Sequence, residues 1–299
     1  MTKHEGPTDE AIEISSDRLR VEIARPASLG KQIRFDRTSF VRQVTLDGQQ
    51  TFCADEDAGG SNGAGLCCEF GISTALGYRE AGDGGAFVKP GVGILRRADD
   101  RPYAFDEDYP YELFEFVVER LSDSAVELAA LPRACNGYAL KLTRRFSVRE
   151  NVLDVTTTMR NEGTRPIAIA EYNHNFVAFN GRPIDGHVRL RTPWVTGAAE
   201  TGKASLAIEP GVAQLTRTPS SRFHVTFGRD TAIDSDAQSW QLEDAQSGLS
   251  IQEQTSLPWS KLCLYGTRKV ICPEAFVQID VLPGKQLMWS RTFTMLGRR

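Results

Sequence analysis

Two short stretches carry the residues best suited to proton-transfer chemistry. The first, IAIAEYNHNFVAF, spans residues 167–179 and sets His174, one of only 4 histidines, between Asn173 and Asn175 in an apolar run. The second, RKVICPEAFVQIDVLPG, residues 268–284, places Glu274 among Ile271, Cys272, Pro273, Ala275, Phe276 and Val277. On a strand, Tyr172, His174 and Phe176 share one face, while Glu171, Asn173 and Asn175 share the other. Polar groups on both faces of an apolar run cost free energy unless each finds a partner. A lone strand histidine is more often structural than catalytic; its polar neighbours single this one out. A carboxylate in so apolar a setting is either a paired structural charge or a functional base. Pro273 cannot donate a ladder hydrogen bond, so Glu274 is expected at a strand start or a bulge, where side chains are re-aimed.

The elements that must hold these groups have a period of two. Residues 124–131 (SAVELAAL), 138–148 (YALKLTRRFSV) and 151–160 (NVLDVTTTMR) alternate, with turn formers at 149–151 and 161–164. The C-terminal part repeats the pattern, AFVQIDVL and QLMWSRTFTML flanking Pro283-Gly284-Lys285. Strand, short turn, strand is an antiparallel meander. Amphipathic helices are scarce. The fold class is therefore all-β, a single large antiparallel β-sandwich over residues 11–299 behind a disordered, polar tail at 1–10. One concave sheet face should remain free for a small ligand.

Composition narrows the function. The chain has 299 residues, 35 basic and 39 acidic, for a formal charge of −4. That balance gives no electrostatic case for nucleic acid. No apolar run reaches the roughly 20 residues of a membrane helix, and no secretory signal is visible, so a cytoplasmic protein is expected. The 6 cysteines form no CxxC pair and read as thiols, mostly buried. GVG at 91–93 and GAG at 63–65 are isolated and more suited to turns or close backbone approach than to phosphate.

NVLDVTTTMRNEGTRPIAIAEYNHNFVAF resembles the central segment of the aldose 1-epimerase (galactose mutarotase) superfamily: a long strand, the turn Asn161-Glu162-Gly163, a second strand, then Asn173-His174 followed by Phe176. The C-terminal segment is similar too, with Glu274 after an apolar strand and then the Pro283-Gly284 turn. The resemblance covers residues 120–180 and 260–297 well and the N-terminal third loosely. It implies a β-supersandwich, and a reaction in which Glu274 takes the proton from the anomeric hydroxyl while His174 gives one to the ring oxygen. It also implies a small-molecule carbohydrate as partner and no cofactor. Tyr172, Trp194 and Trp259 are candidate walls of the sugar site.

The sequence also departs from that pattern. The family's earlier histidine has no counterpart between His4 and His174, and Asp185 lies too close to His174 to match its later aspartate. The remaining candidate substrate-binding residues are Arg34, by resemblance to an early family segment, Glu69, Lys89, Glu171, Asn173 and Asn175. Lys89 either snorkels to solvent or reaches into the cleft to contact an acidic group. No metal is demanded, although His174, Glu171, Glu69 and His187 are a conceivable divalent set. Two alternatives stand beside an epimerase: a lyase or isomerase acting on an acidic or keto sugar, and a non-catalytic carbohydrate-binding protein.

Overall fold

A computed structural model describes residues 11–56, 63–195, 205–227 and 238–297; the tail expected at 1–10 lies outside them. Two large antiparallel sheets face each other. The first has 9 strands, ordered Ile12–Ser15, Leu19–Ile23, Val41–Leu46, Leu66–Phe70, Ile167–Asn175, Ile271–Val281, Trp259–Gly266 and Phe223–Phe227, with Gln50–Thr51 paired to Val41–Leu46. The second has 10 strands and is centred on Leu140–Arg149, Val152–Asn161 and Gln286–Leu296. A small sheet of 3 strands, Ala86–Lys89, Gly93–Arg96 and Tyr111–Leu113, packs at one end.

The expected meander is present. Leu140–Arg149 and Val152–Asn161 pair in unbroken register from Leu140↔Asn161 to Arg149↔Val152. Glu150 in the connecting turn adopts φ 47°. Alternate residues of these strands, including Leu142, Phe146, Leu153, Val155 and Met159, are buried between the sheets, which is what period two dictates for a sheet with one dry face. Gly284 turns the chain at φ 72° between the last two long strands.

The other face of the 9-stranded sheet is less open than the sequence implies. Phe35, Phe40, Cys67, Phe176, Val270 and Cys272 form a second apolar cluster there, and a third cluster, built on Tyr78, Phe87 and Tyr109, underlies the small sheet. Close glycine approaches make this packing feasible. A Cβ on Gly65 (φ 61°) would sit 1.8 Å from the Val41 carbonyl oxygen, so only glycine fits the contact. Among the described residues no helix is long and apolar enough to cross a membrane.

Candidate active site

Strand register brings the candidate residues together. Glu69 lies opposite Tyr172, Cys67 opposite His174, Tyr172 opposite Phe276, and Cys263 opposite both Glu274 and Thr226. Cross-strand partners share a face. Glu69, Tyr172, His174, Phe276, Glu274, Cys263, Tyr265 and His224 therefore form one polar-aromatic band across five adjacent strands.

The centre of that band is a gap in a ladder. Ile167–Asn175 and Ile271–Val281 pair continuously from Ile167↔Val281 to Tyr172↔Phe276. Pairing resumes only at Val177↔Ile271, where both backbone hydrogen bonds form at 3.1 and 2.9 Å. Hydrogen-bonded pairs alternate along an antiparallel ladder, so Asn175↔Pro273 would be the next such pair. Pro273 has no N–H to give. Instead the Asn175 Nδ2 amide donates to the Pro273 carbonyl at 3.2 Å. The bulge expected at Glu274 lies one strand away, between Trp259 and Lys261. Glu274 itself sits within a continuous strand beside the gap.

His174 and Glu274 face each other across that gap, Nε2 to Oε1 at 3.1 Å. Both are buried, at 4% and 3% exposure. Burial pushes Glu274 above the usual carboxylate range against the pull of His224. Burial, reinforced by Arg34 and His224, pushes His174 well below the usual imidazole value. Burial thus favours the uncharged form of each group. The His174 ring stacks on Phe176 at 4.2 Å and meets Tyr265 and Phe35 edge-on at 5.2 and 5.7 Å. Its orientation is thereby fixed.

Arg34, Glu69 and Lys89 form a second group beside the pair. Glu69 accepts from Arg34 Nε at 2.8 Å, from Lys89 Nζ at 3.0 Å and from the Tyr172 hydroxyl at 2.6 Å. Burial alone would raise Glu69, but Lys89 and Arg34 outweigh it and hold the carboxyl below its ordinary range. Arg34 also donates to the Tyr172 hydroxyl at 3.0 Å and lies over the rings of Phe35 and Phe105. Its side chain is 26% exposed, whereas that of Lys89 is 1% exposed and capped by Tyr103. Of the three, Arg34 is the one that meets the solvent side. Lys89 neither snorkels nor lines a cleft; its charge is spent holding Glu69.

Three expected sugar contacts are placed elsewhere. Glu171, Asn173 and Asn175 point into the space between the two large sheets. There Arg291 contacts Glu171 at 2.8 Å and Arg144 lies 3.6 Å from it. Asn175 donates to Glu253 at 2.9 Å, and Asn173 accepts from the Cys68 thiol at 2.6 Å. The physical reason is the strand's period of two: the face opposite His174 is the dry inter-sheet face, where Glu171 and Asn175 pair with charged side chains of the opposing sheet. Trp194 and Trp259 likewise belong to the inter-sheet core and line no sugar site. Asp185 bonds His187 at an exposed turn. The metal set drawn from His174, Glu171, Glu69 and His187 is therefore not assembled, because its members lie on different faces or at the surface.

His224 was not singled out by the sequence, yet its Nε2 lies 3.6 Å from Glu274 Oε2. Interaction with Cys263 and then with Glu274 pushes the His224 imidazole up to about 10. The available signal was the alternation in FHVTF (223–227), whose buried Phe223, Val225 and Phe227 leave His224 and Thr226 on the other face. Tyr265 was also missed; its hydroxyl bonds the Glu56 carboxylate.

No family model and no curated protein matches this sequence. Solved structures do. A galactose mutarotase related enzyme from Lactobacillus acidophilus aligns over 96% of this chain and 97% of its own, with a TM-score of 0.59 and 9% identity. A galactose mutarotase-like protein from Lactobacillus casei aligns over 96% and 100%, with a TM-score of 0.59 and 13% identity. Galactose 1-epimerase from Lactobacillus acidophilus aligns over 100% and 98%, with a TM-score of 0.52 and 12% identity. At these identities the likeness is one of fold: the chain has the galactose mutarotase-like all-β sandwich, as the resemblance in its sequence implied.

Proposed function

We propose that the protein is a carbohydrate-active isomerase of the aldose 1-epimerase kind, with Glu274 and His174 as its acid–base pair. The observation that carries this reading is the direct His174–Glu274 contact, one buried group on each lip of a broken ladder. Interconverting anomers moves one proton from the anomeric hydroxyl and returns one to the ring oxygen, with no net change. A carboxyl and an imidazole held in direct contact can carry that exchange between them. The sugar hemiacetal parts the pair: its hydroxyl donates to Glu274 and its ring oxygen accepts from His174. The ring opens, the aldehyde turns, and reclosure runs the transfers in reverse. Tyr172 and Phe276, stacked at 4.4 Å, supply an aromatic wall, and Arg34 supplies donors for hydroxyls at the rim. Likeness in fold to structures described as galactose mutarotase-like and galactose 1-epimerase supports the same reading.

A second reading is kept by Arg34. Two cations share the single carboxylate of Glu69, leaving a net positive group beside a buried base. That charge favours a substrate bearing a carboxylate, from whose neighbouring carbon Glu274 would take a proton, as in a lyase or isomerase of acidic sugars.

Polarimetry of freshly dissolved α-glucose and α-galactose tests the first reading. The protein should accelerate anomer equilibration, and His174→Ala and Glu274→Gln should each reduce turnover by about 100-fold or more. Wild-type turnover in either variant removes that residue from the mechanism. An unsaturated, ultraviolet-absorbing product from a uronate would establish the second reading. Sugar affinity that survives Glu274→Gln, with no turnover before or after, would mean a binding protein.

A further inference from the structure

We propose that His224, Cys263 and Glu274 form a binding site for a divalent cation of the zinc type. Among the described residues they are the one group of histidine, cysteine and carboxylate side chains whose ligand atoms converge, all within 4.8 Å of one another. They come from three adjacent strands, Phe223–Phe227, Trp259–Gly266 and Ile271–Val281. Each offers a different donor atom: imidazole nitrogen, cysteine sulfur and carboxylate oxygen. Magnesium and calcium favour all-oxygen shells, whereas a mixed nitrogen, sulfur and oxygen set suits zinc.

The spacing fits. Bonds of about 2.0–2.3 Å in a tetrahedral zinc site put ligand atoms about 3.3–3.6 Å apart. His224 Nε2 and Glu274 Oε2 already lie 3.6 Å apart. All three ligand atoms lie within 4.8 Å of one another, so closing round an ion asks for side-chain shifts of up to about 1 Å.

The surroundings are those of a supported site. Cys263 and Glu274 are cross-strand partners, so the backbone fixes their separation. The Thr226 hydroxyl lies 3.4 Å from Cys263 Sγ. His174 holds Glu274 through its other oxygen, Oε1, at 3.1 Å, and so acts as the outer partner that orients a ligating carboxylate. Cys263 and Glu274 are buried, while the His224 side chain is 51% exposed and marks the side from which an ion enters. Three protein ligands leave a fourth position for water or a substrate oxygen. A surface histidine paired with a buried carboxylate would not need the sulfur, so Cys263 separates an ion site from a simple ion pair.

The site shares Glu274 with the acid–base pair, and one consequence rests on that reading. An ion bound to Oε2 holds Glu274 as a ligand and withdraws it from proton transfer. Zinc is therefore an inhibitor of anomer exchange.

The test uses the full chain, stripped with chelator and titrated with Zn²⁺ by calorimetry and with Co²⁺ by absorption spectroscopy. One equivalent should bind, and cobalt should give a thiolate-to-metal charge-transfer band. Cys263→Ser should abolish the band. His224→Ala should weaken binding by about 100-fold or more, while His187→Ala, at an exposed turn elsewhere, should leave it unchanged. Binding weaker than about 1 mM, a cobalt spectrum without the thiolate band, or affinity unchanged in His224→Ala would overturn the site. Should Cys263→Ser fail to fold, His224→Ala decides, since that side chain is exposed. These readouts need no activity, so they judge the site even if the epimerase reading fails. Where anomer exchange is found, saturating Zn²⁺ should suppress it, and exchange that continues with the ion bound refutes the inhibitory step alone.

Discussion

Replacing Arg291 with methionine should be among the most damaging single changes in the chain. Arg291 lies between the sheets at 1% exposure. It contacts Glu171 at 2.8 Å and Glu253 at 2.5 Å. Arg144 bonds Asp36 at 2.8 Å and lies 3.6 Å from Glu171, so two arginines serve three carboxylates. Methionine conserves volume but leaves Glu171 with only its longer contact and Glu253 with only neutral partners. Breaking a buried pair in this way costs about 3–5 kcal/mol, a large part of the 5–15 kcal/mol typical of a folded protein. At about 2 °C per kcal/mol for a chain of this size, the melting midpoint should fall by about 6–10 °C. The loss should also depend on pH. Burial alone would raise Glu171, but Arg291 and then Arg144 outweigh it and hold its pKa below the ordinary value. A carboxylate depressed in the folded state adds stability above its unfolded pKa of about 4.3 and loses it as pH falls through the folded value. The gap between wild type and variant should therefore be fully open at neutral pH and narrow in acid. Chemical denaturation at a series of pH values measures this, and Glu171→Gln combined with Arg291→Met should recover part of the loss. A neutral-pH deficit below about 1 kcal/mol, the range of an exposed pair, or one that does not shrink in acid, refutes the account of this cluster.

Arg34→Gln should raise KM for the sugar by about 10-fold while changing kcat less, because it removes rim donors and leaves the His174–Glu274 pair in place; steady-state polarimetry separates the two parameters, and an unchanged KM removes Arg34 from the site. Gly91→Ala should destabilise the fold by about 1–3 kcal/mol: Gly91 sits at φ 71°, and an added Cβ would meet Asp36 Oδ1 at 2.1 Å, pushing that carboxylate off Arg144. Thermal melting checks it, and an unchanged midpoint would mean the loop yields freely.

Much of the fold was legible because it depends on local pattern. The alternation in YALKLTRRFSV and NVLDVTTTMR and the Pro283-Gly284 turn lead directly to the long strands observed, and the glycines of GAG and GVG, read as turn or close-approach positions, sit at positive φ (Gly63, Gly65, Gly91) or against a neighbouring backbone (Gly65, Gly93). The facing of residues 171–176 was legible too. What each face meets was not, because that depends on strands far away in sequence. Glu171, Asn173 and Asn175 looked like a polar lining until Arg144, Arg291 and Glu253, from the opposing sheet, turned out to satisfy or surround them. Lys89 and Arg34 looked alike as isolated cations, yet Tyr103 covers one and the solvent side receives the other. His224 escaped notice because a five-residue strand with one histidine carries little signal until its neighbours, Cys263 and Glu274, are known. A site assembled from cross-strand partners is written in the register, and register is set by pairing at long range.

Pro273 is the residue through which register becomes chemistry. In an uninterrupted ladder, a hydrogen-bonded pair at 175 and 273 would draw the strands together beside His174 and Glu274. Proline removes the donor, and the Asn175 side chain takes the remaining acceptor at 3.2 Å. The two lips are thus held near each other without being sealed, and a substrate that must part the buried pair meets only side-chain contacts there. Pro273→Ala restores an N–H at that place. The gain from one added hydrogen bond is about 1 kcal/mol, so the variant should be as stable as wild type or slightly more so. The new amide at position 273 should exchange slowly with solvent, as those of a closed ladder do. Turnover should fall even though neither His174 nor Glu274 has changed, because separating them would then require breaking backbone bonds as well. A protected amide at 273 with undiminished turnover would show that the sugar reaches the pair without opening the ladder, and the gap would then be a structural consequence of proline rather than the entrance to the site.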